Sequence, residues 1–270
     1  MLYLYHPSMV SAYPGLSEDI EAFAELGVAT GSNLAVIPAG SLVIPRFRML
    51  PFGKELEQEV LTLGSRLINT YRQHRAIADL STWIGLLDGL TPPAYRVDEI
   101  PRIPDGEYFV KGETNSLKHR WFEACYAPNK TALLDVIRAN YADSTVGSQE
   151  LYIRPFQRYR QVATAVDGRP VFNELRVFVY RGQVVSRGVY WSNHEAALAV
   201  QPLDQRKLDT ALADAVARTE HLADFYVIDL AEYPDGSWGV VELNDGVMAG
   251  LSANDPKLLW SKLKTLTEVL

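Results

Sequence analysis

The sequence predicts an α+β fold in which two or three lobes surround one cleft. Two observations carry that expectation. Short strands come in adjacent pairs separated by a single helix through the second half of the chain, in the order strand pair, helix, strand pair. The chain has 270 residues, 47% of them hydrophobic, which is enough to bury a sizeable core.

The elements follow in order. Residues 17–26 combine an N-cap serine, Ser17, with early acids and apolar residues at helical spacing, and Gly27 closes the helix. Residues 41–51 read as a strand leaving through a loop, with Arg46 and Arg48 at alternate positions that either face a cleft or stay in solvent. A second helix is expected over 55–79, with Leu56, Val60, Leu63, Leu67, Ile68 and Tyr71 on one side. Thr91, Pro92 and Pro93 then mark a boundary, because paired prolines stop a helix. Residues 1–95 are expected to form one lobe.

Beyond the boundary, residues 107–112 read as a strand ending in Lys111, followed by a polar loop over 113–119 that contains Lys118. A lysine at a strand end is poorly placed for burial unless an anion meets it, and hydroxyl and amide donors nearby suit a polyphosphate. The Gly-Lys-Ser/Thr signature of a Walker A loop is absent. A helix over 130–140 and a strand over 150–156 come next, and Pro155 makes the end of that strand an edge or a hinge. Residues 172–180 and 183–191 alternate sharply about Arg181 and Gly182 and form a hairpin. Glu174 and Arg176 share one face of it, where they pair with each other or Arg176 projects into a cleft as a phosphate-binding fork. Arg187 lies on the returning strand, beside Tyr190 and Trp191, which either pack in the core or line a groove.

A helix over 204–222 leads to a last hairpin, 225–230 and 238–244, turning at Asp235 and Gly236. Side chains alternate along a strand, so Glu242 and Asn244 point the same way and Asp229 reaches them from the neighbouring strand. Two carboxylates and an amide oxygen on rigid elements suit Mg²⁺; the plain alternative is an acidic hairpin facing water.

Composition excludes several classes. A net charge of -7 argues against nonspecific binding to nucleic acid. A single cysteine, Cys125, excludes an internal disulfide and a multi-cysteine zinc site, and its neighbours suggest a packed thiol. The five histidines are scattered, and His119 and His194 read as polar loop residues, so no nucleophile-base arrangement emerges. The N-terminus lacks the basic start and long apolar core of a signal peptide and no membrane span is seen, so residence in the cytoplasm is the expectation.

Taken together, Lys111 and Lys118, the strand ending at Arg154, Pro155 and Phe156, the Glu174 and Arg176 hairpin, Asp229, and Glu242 with Asn244 occur in an order that resembles the ATP-grasp superfamily. The chain is most similar to its clade with one arginine and two lysines around the nucleotide. The resemblance covers roughly 101–255 and implies two α+β lobes clasping ATP, here 96–158 with the lysine loop and hinge strand and 159–270 with the metal site. Residues 1–95 would be the α/β domain that precedes an ATP-grasp fold.

The resemblance further implies that Lys111 and Lys118 meet the phosphates, that the backbone from Arg154 to Phe156 faces adenine, and that Arg176 stabilises the transferred phosphate. Asp229, Glu242 and Asn244 would hold Mg²⁺. The implied reaction is ATP-dependent ligation of a carboxylate to an amine or thiol through an acyl phosphate, on an amino acid, a peptide or a protein terminus. A kinase or a non-ligating nucleotide-binding module is the alternative. Arg187, Arg46 and Arg48 are the candidates for binding the substrate carboxylate. Many members place an acidic residue for the ribose near the position of Pro155, so the ribose contact departs from the pattern.

Overall fold

The computed structural model describes residues 1–5, 14–47 and 53–268. Four parallel strands, β1 (Leu2–Leu4), β2 (Ala29–Gly31), β3 (Leu42–Pro45) and β4 (Arg66–Leu67), form the first sheet in the order β2-β1-β3-β4. β1 and β3 are buried throughout, as continuous apolar strands of a parallel sheet must be. Helix α1 (Pro14–Glu25) begins three residues ahead of Ser17, which therefore lies inside the helix instead of capping it. Proline suits a first helical position, because its fixed φ is preorganised and its missing N–H is not needed there.

The single helix expected over 55–79 is two helices with a strand between them. Helix α2 (Gly53–Thr62) ends at Gly64, whose φ of 69° only glycine adopts freely, while the N–H groups of Gly64 and Ser65 cap the carbonyls of Leu61 and Val60. Arg66 and Leu67 of β4 then pair with Leu42 and Val43. Thr70 starts helix α3 (Tyr71–Ala78) through a capping box with Gln73.

The second sheet is antiparallel, with β5 (Tyr95–Arg96), β6 (Tyr108–Gly112), β7 (Tyr126–Ala127) and β8 (Leu151–Pro155) in the order β5-β8-β6-β7. Helix α4 (Lys130–Tyr141) lays Leu133, Val136 and Ile137 in a core with Val110, Leu151 and Ile153. Cys125 is buried in the same core, and burial pushes its thiol up to about 11, so it is a packing residue.

A small hairpin, β9 (Gln161–Thr164) and β10 (Pro170–Phe172), leads into the main sheet. That sheet contains β11 (Glu174–Tyr180), β12 (Gln183–Val189), β13 (Phe225–Glu232) and β14 (Trp238–Asp245) in the order β12-β11-β13-β14, all antiparallel. Arg181 and Gly182, both at positive φ, make the tight turn that the twist of a two-residue hairpin favours. Val177, Val179, Ile228 and Leu230 face helix α5 (Gln205–Thr219) through Leu208, Leu212 and Ala215.

The opposite face has two halves. Phe178, Tyr180, Phe225 and Val227 share a core with the first sheet and with helix α6 (Pro256–Glu268). Trp260 of α6 packs on Phe23 at 4.8 Å and on Phe225 at 6.0 Å between ring centroids, joining α1 to the main sheet. Further along the same face come Arg176, Asp229, Glu242 and Asn244, where the apolar surface gives way to a charged cleft. Among the described residues no helix is long and apolar enough to cross a membrane.

Candidate functional site

The register of the main sheet sets the charges of the cleft. Arg176 on β11 lies opposite Asp229 on β13, and Asp229 lies opposite Glu242 on β14. Arg176 therefore grips Asp229 bidentately, Nε to Oδ1 at 2.9 Å and Nη2 to Oδ2 at 2.8 Å, while its Nη1 donates to Gly250 O at 2.9 Å. Of the two readings of Arg176, the pairing with Glu174 does not form, because cross-strand neighbours approach more closely than residues two apart on one strand, and Arg176 borders the cleft. Asp229 is fully buried, so without the arginine its charge would be costly.

Lys111, at the end of β6, crosses the cleft to donate to Glu242. Burial works against the Glu242 carboxylate, but Lys111, Lys118 and Arg176 hold its pKa down to about 2. Asn244 donates its amide nitrogen to Asp229 at 3.2 Å, and its carbonyl oxygen has no partner among the described residues. Two carboxylates and a free amide oxygen form a hard, all-oxygen donor set of the kind Mg²⁺ takes. Among the described residues no three His, Cys, Asp or Glu side chains converge into a ready-made cation cage. The two carboxylates are neutralised by Arg176 and Lys111, and a cation would take over part of that role.

Two adjoining cavities meet at Glu242 and Lys118. The larger, about 390 Å³, also borders Arg176, Tyr190, Asn244 and His74. The smaller, about 80 Å³, is walled by the aromatic rings of Phe109, Trp121, Phe156 and Phe172 and reaches Lys111 and Glu174 at its charged end. An aromatic-walled slot opening onto cations suits a base followed by phosphate.

The hinge strand, Arg154 to Phe156, lines the smaller cavity. Pro155 has no N–H, and the Phe156 N–H is taken by Glu107 O at 2.9 Å, so residues 154–156 offer the slot side chains and carbonyls instead of backbone donors. Arg154 spends Nη1 on Val241 O at 2.7 Å and Nη2 on Thr91 Oγ1 and Pro92 O at 2.6 and 3.1 Å, fastening the 91–93 segment to β14 beside Glu242.

Two of the candidate substrate arginines, Arg187 and Arg46, are committed elsewhere. Arg187 pairs with Val177, which puts it on the α5 face beside Asp209 at 3.6 Å, across the sheet from the cleft. Arg46 is buried against Asp19, with Nε at 3.0 Å and Nη2 at 2.9 Å, and its Nη1 donates to Gly246 O, Val247 O and Ala249 O at 3.1, 2.8 and 3.0 Å. Its donors are spent on holding the loop after β14, so it is a clamp and not a free cation. Arg48 lies outside the described residues.

Three buried polar residues complete the surroundings of the cleft, and two of them, His74 and Asn69, lacked a signal in sequence. Glu174 is buried with Oε1 unpartnered; burial, with Asp229 and Glu242 nearby, pushes its carboxyl up to about 7 despite Lys118 and Arg176. His74 of α3 donates from Nδ1 to the Asp245 carboxylate, while burial, aided by Arg75, works against its charged form. Asn69 joins them, donating to Asp245 Oδ1 at 3.2 Å and accepting from the Phe225 N–H at 2.8 Å. Both His74 and Asn69 fall within 55–79, where a continuous helix hid their positions.

Comparison with solved structures gives the same overall architecture. D-alanine–D-alanine ligase from Bacillus anthracis complexed with ATP superposes with a TM-score of 0.64 at 13% identity, covering 99% of this chain and 97% of that one. D-cycloserine synthetase DcsG gives 0.63 at 14% identity, over 98% and 99% of the two chains. The ATP-grasp ligase PsnB, complexed with precursor peptide PsnA2 and AMPPNP, gives 0.59 at 13% identity, over 98% and 96%. A comparison with curated proteins finds no match. The model of the ATP-grasp domain, family 3 of the clade named for one arginine and two lysines, matches residues 99–263. That span takes in the hinge strand, both lysines and the whole charged face of the main sheet, and it places the chain in the ATP-grasp family, within family 3 of the one-arginine, two-lysine clade.

Proposed function

We propose that the protein is an ATP-dependent ligase that joins a carboxylate to an amine, or to a thiol, through an acyl phosphate, with Mg²⁺ as its metal. The observation that carries this reading is one cleft in which Lys111 and Lys118 face Glu242 and Asn244 of the main sheet, where Arg176 is held beside them by Asp229. The aromatic slot takes the base, and Lys111 and Lys118 meet the phosphates, Lys111 exchanging Glu242 for phosphate oxygen. Arg176 is held by Asp229, so its charge is already oriented when the γ-phosphoryl group moves to the carboxylate, and little reorganisation is needed at that moment. Glu242 and Asn244, with Asp229 beneath them, would hold Mg²⁺, which supplies charge neutralisation at the β and γ phosphates. An acyl phosphate hydrolyses in water, and the loop over 113–119, which borders the larger cavity, is the cover that excludes it.

Amino-acid and peptide ligases among the structural relatives support an amino acid, a peptide or a protein terminus as the substrate. The test is a screen of carboxylates with amines for release of ADP and phosphate, with Lys111→Ala and Glu242→Ala as controls. Release that needs both partners and disappears in the controls is the expected result. A stable phosphorylated product formed with no amine present would replace the ligase by a kinase.

A further inference from the structure

Tyr190 follows β12 directly and borders the larger cavity together with Lys118, Arg176, Glu242 and Asn244. Lys118 Nζ donates to its hydroxyl at 2.9 Å, and the Arg176 guanidinium carbon lies 4.7 Å from its ring centroid. The residue is held from behind as well. Its N–H donates to Glu174 O at 2.9 Å, and its ring meets Trp191 edge-on at 5.2 Å. Arg169, 5.4 Å over the Trp191 ring, donates to the Lys118 carbonyl at 3.2 Å, so Lys118 is gripped at both its backbone and its side chain.

The hydroxyl has one hydrogen to give and lone pairs to accept with. An ammonium can only donate, so Tyr190 is the acceptor in its bond to Lys118. Its own hydrogen is left over, and no described residue accepts it. A bond accepted from a cation polarises the O–H and makes it a stronger donor. Lys118, Arg176 and the Tyr190 hydroxyl thus border one volume with Glu242 and Asn244.

The anion that fits this volume is not a planar carboxylate. The fork of Arg176 that would take one bidentately is already spent on Asp229 through Nε and Nη2. Single donors from three different side chains match a group with three oxygens, as a phosphoryl group in transfer has.

We propose that Tyr190 is a catalytic residue of the ligase reaction: its hydroxyl donates to an oxygen of the γ-phosphoryl group in transfer, while its ring sets the spacing of Lys118 and Arg176. This rests on the ligase reading above. Calorimetric binding of Mg·ADP and Mg·AMPPNP to the wild type, Tyr190→Phe and Tyr190→Ala tests it without a known carboxylate substrate.

Phenylalanine keeps the ring and removes only the O–H. Tyr190→Phe should bind ADP within about twofold of the wild type and AMPPNP about tenfold more weakly, the size of a lost bond to a charged group. Tyr190→Ala should weaken both nucleotides, because Lys118 and Arg176 lose their spacer. Wild-type affinity of Tyr190→Phe for AMPPNP, or equal weakening of ADP and AMPPNP, overturns the phosphoryl contact and leaves the ligase reading standing. A wild-type protein that binds neither nucleotide overturns both.

Discussion

Replacing Arg46 by methionine tests whether the guanidinium is a clamp or a substrate contact. Arg46 and Asp19 are 7% and 0% exposed at their side chains, and Asp19 also accepts from Tyr3 at 3.2 Å and Trp260 at 2.6 Å. Removing one partner of such a buried pair leaves an uncompensated charge and costs about 3–5 kcal/mol. With an m-value of about 3 kcal/mol/M, the urea midpoint should fall by roughly 1 to 2 M. Tryptophan fluorescence reports the transition, since Arg46 sits 5.6 Å from the Trp260 ring. Asp19→Leu alone should be similarly damaging, and the double variant should be less destabilised than the sum of the two by about 2 kcal/mol or more, because the second change removes a charge the first left stranded. Strictly additive costs would refute the pairing. Wild-type stability in Arg46→Met, together with a raised KM for the carboxylate, would return Arg46 to the substrate.

Glu242→Gln should abolish the Mg²⁺ dependence of nucleotide binding and destabilise the free protein at pH 7. Its carboxyl is held at about 2 against an ordinary 4.5, so the stability involved is on the order of 3 kcal/mol, in full above the unfolded pKa. Urea denaturation should show the gap between wild type and variant closing as pH falls toward 2, and a gap independent of pH would count against the pairing with Lys111. Glu174 runs the other way: its carboxyl is raised from 4.5 to about 7, so the wild type loses stability as pH rises through that window. Glu174→Gln should then be more stable at pH 8, by on the order of 3 kcal/mol, with no difference below about pH 4. Arg187→Ala should leave ADP release unchanged and shift stability by about 0.5 kcal/mol or less, as its pair with Asp209 is exposed on both sides.

The main sheet was legible because strict alternation fixes which side chains share a face, and that put Glu242, Asn244 and Asp229 together before any coordinates. Alternation does not choose among partners. Arg176 shares a face with Glu174, yet register sets Asp229 directly across from it. Arg187 was misplaced because an unbroken two-residue hairpin sets it opposite Arg176, whereas a bulge at Phe178 and Val179 shifts it opposite Val177, which faces α5. The break at Gly64 was hidden because apolar spacing continues from Val60 through Leu67 in phase with a helix, while the strand pairing that interrupts it comes from Leu42 and Val43, far back in the chain. Arg46 was open for the same reason: its acceptors lie on α1 and in the loop after β14, and no local pattern reports them.

The shared core of β1, α1 and α6 has a consequence for synthesis. Tyr3 and Phe23 are made early, whereas Trp260, which covers them, belongs to the last of the described elements. Translation delivers the chain from its N-terminal side, so the first sheet emerges with an apolar surface that nothing yet occupies and with Asp19 short of its indole donor. The lobe built around β1 therefore leaves the ribosome well before the helix that completes it. A premature stop before α6 would leave Tyr3, Phe23 and Asp19 without Trp260, so truncation there should destabilise the first sheet as well.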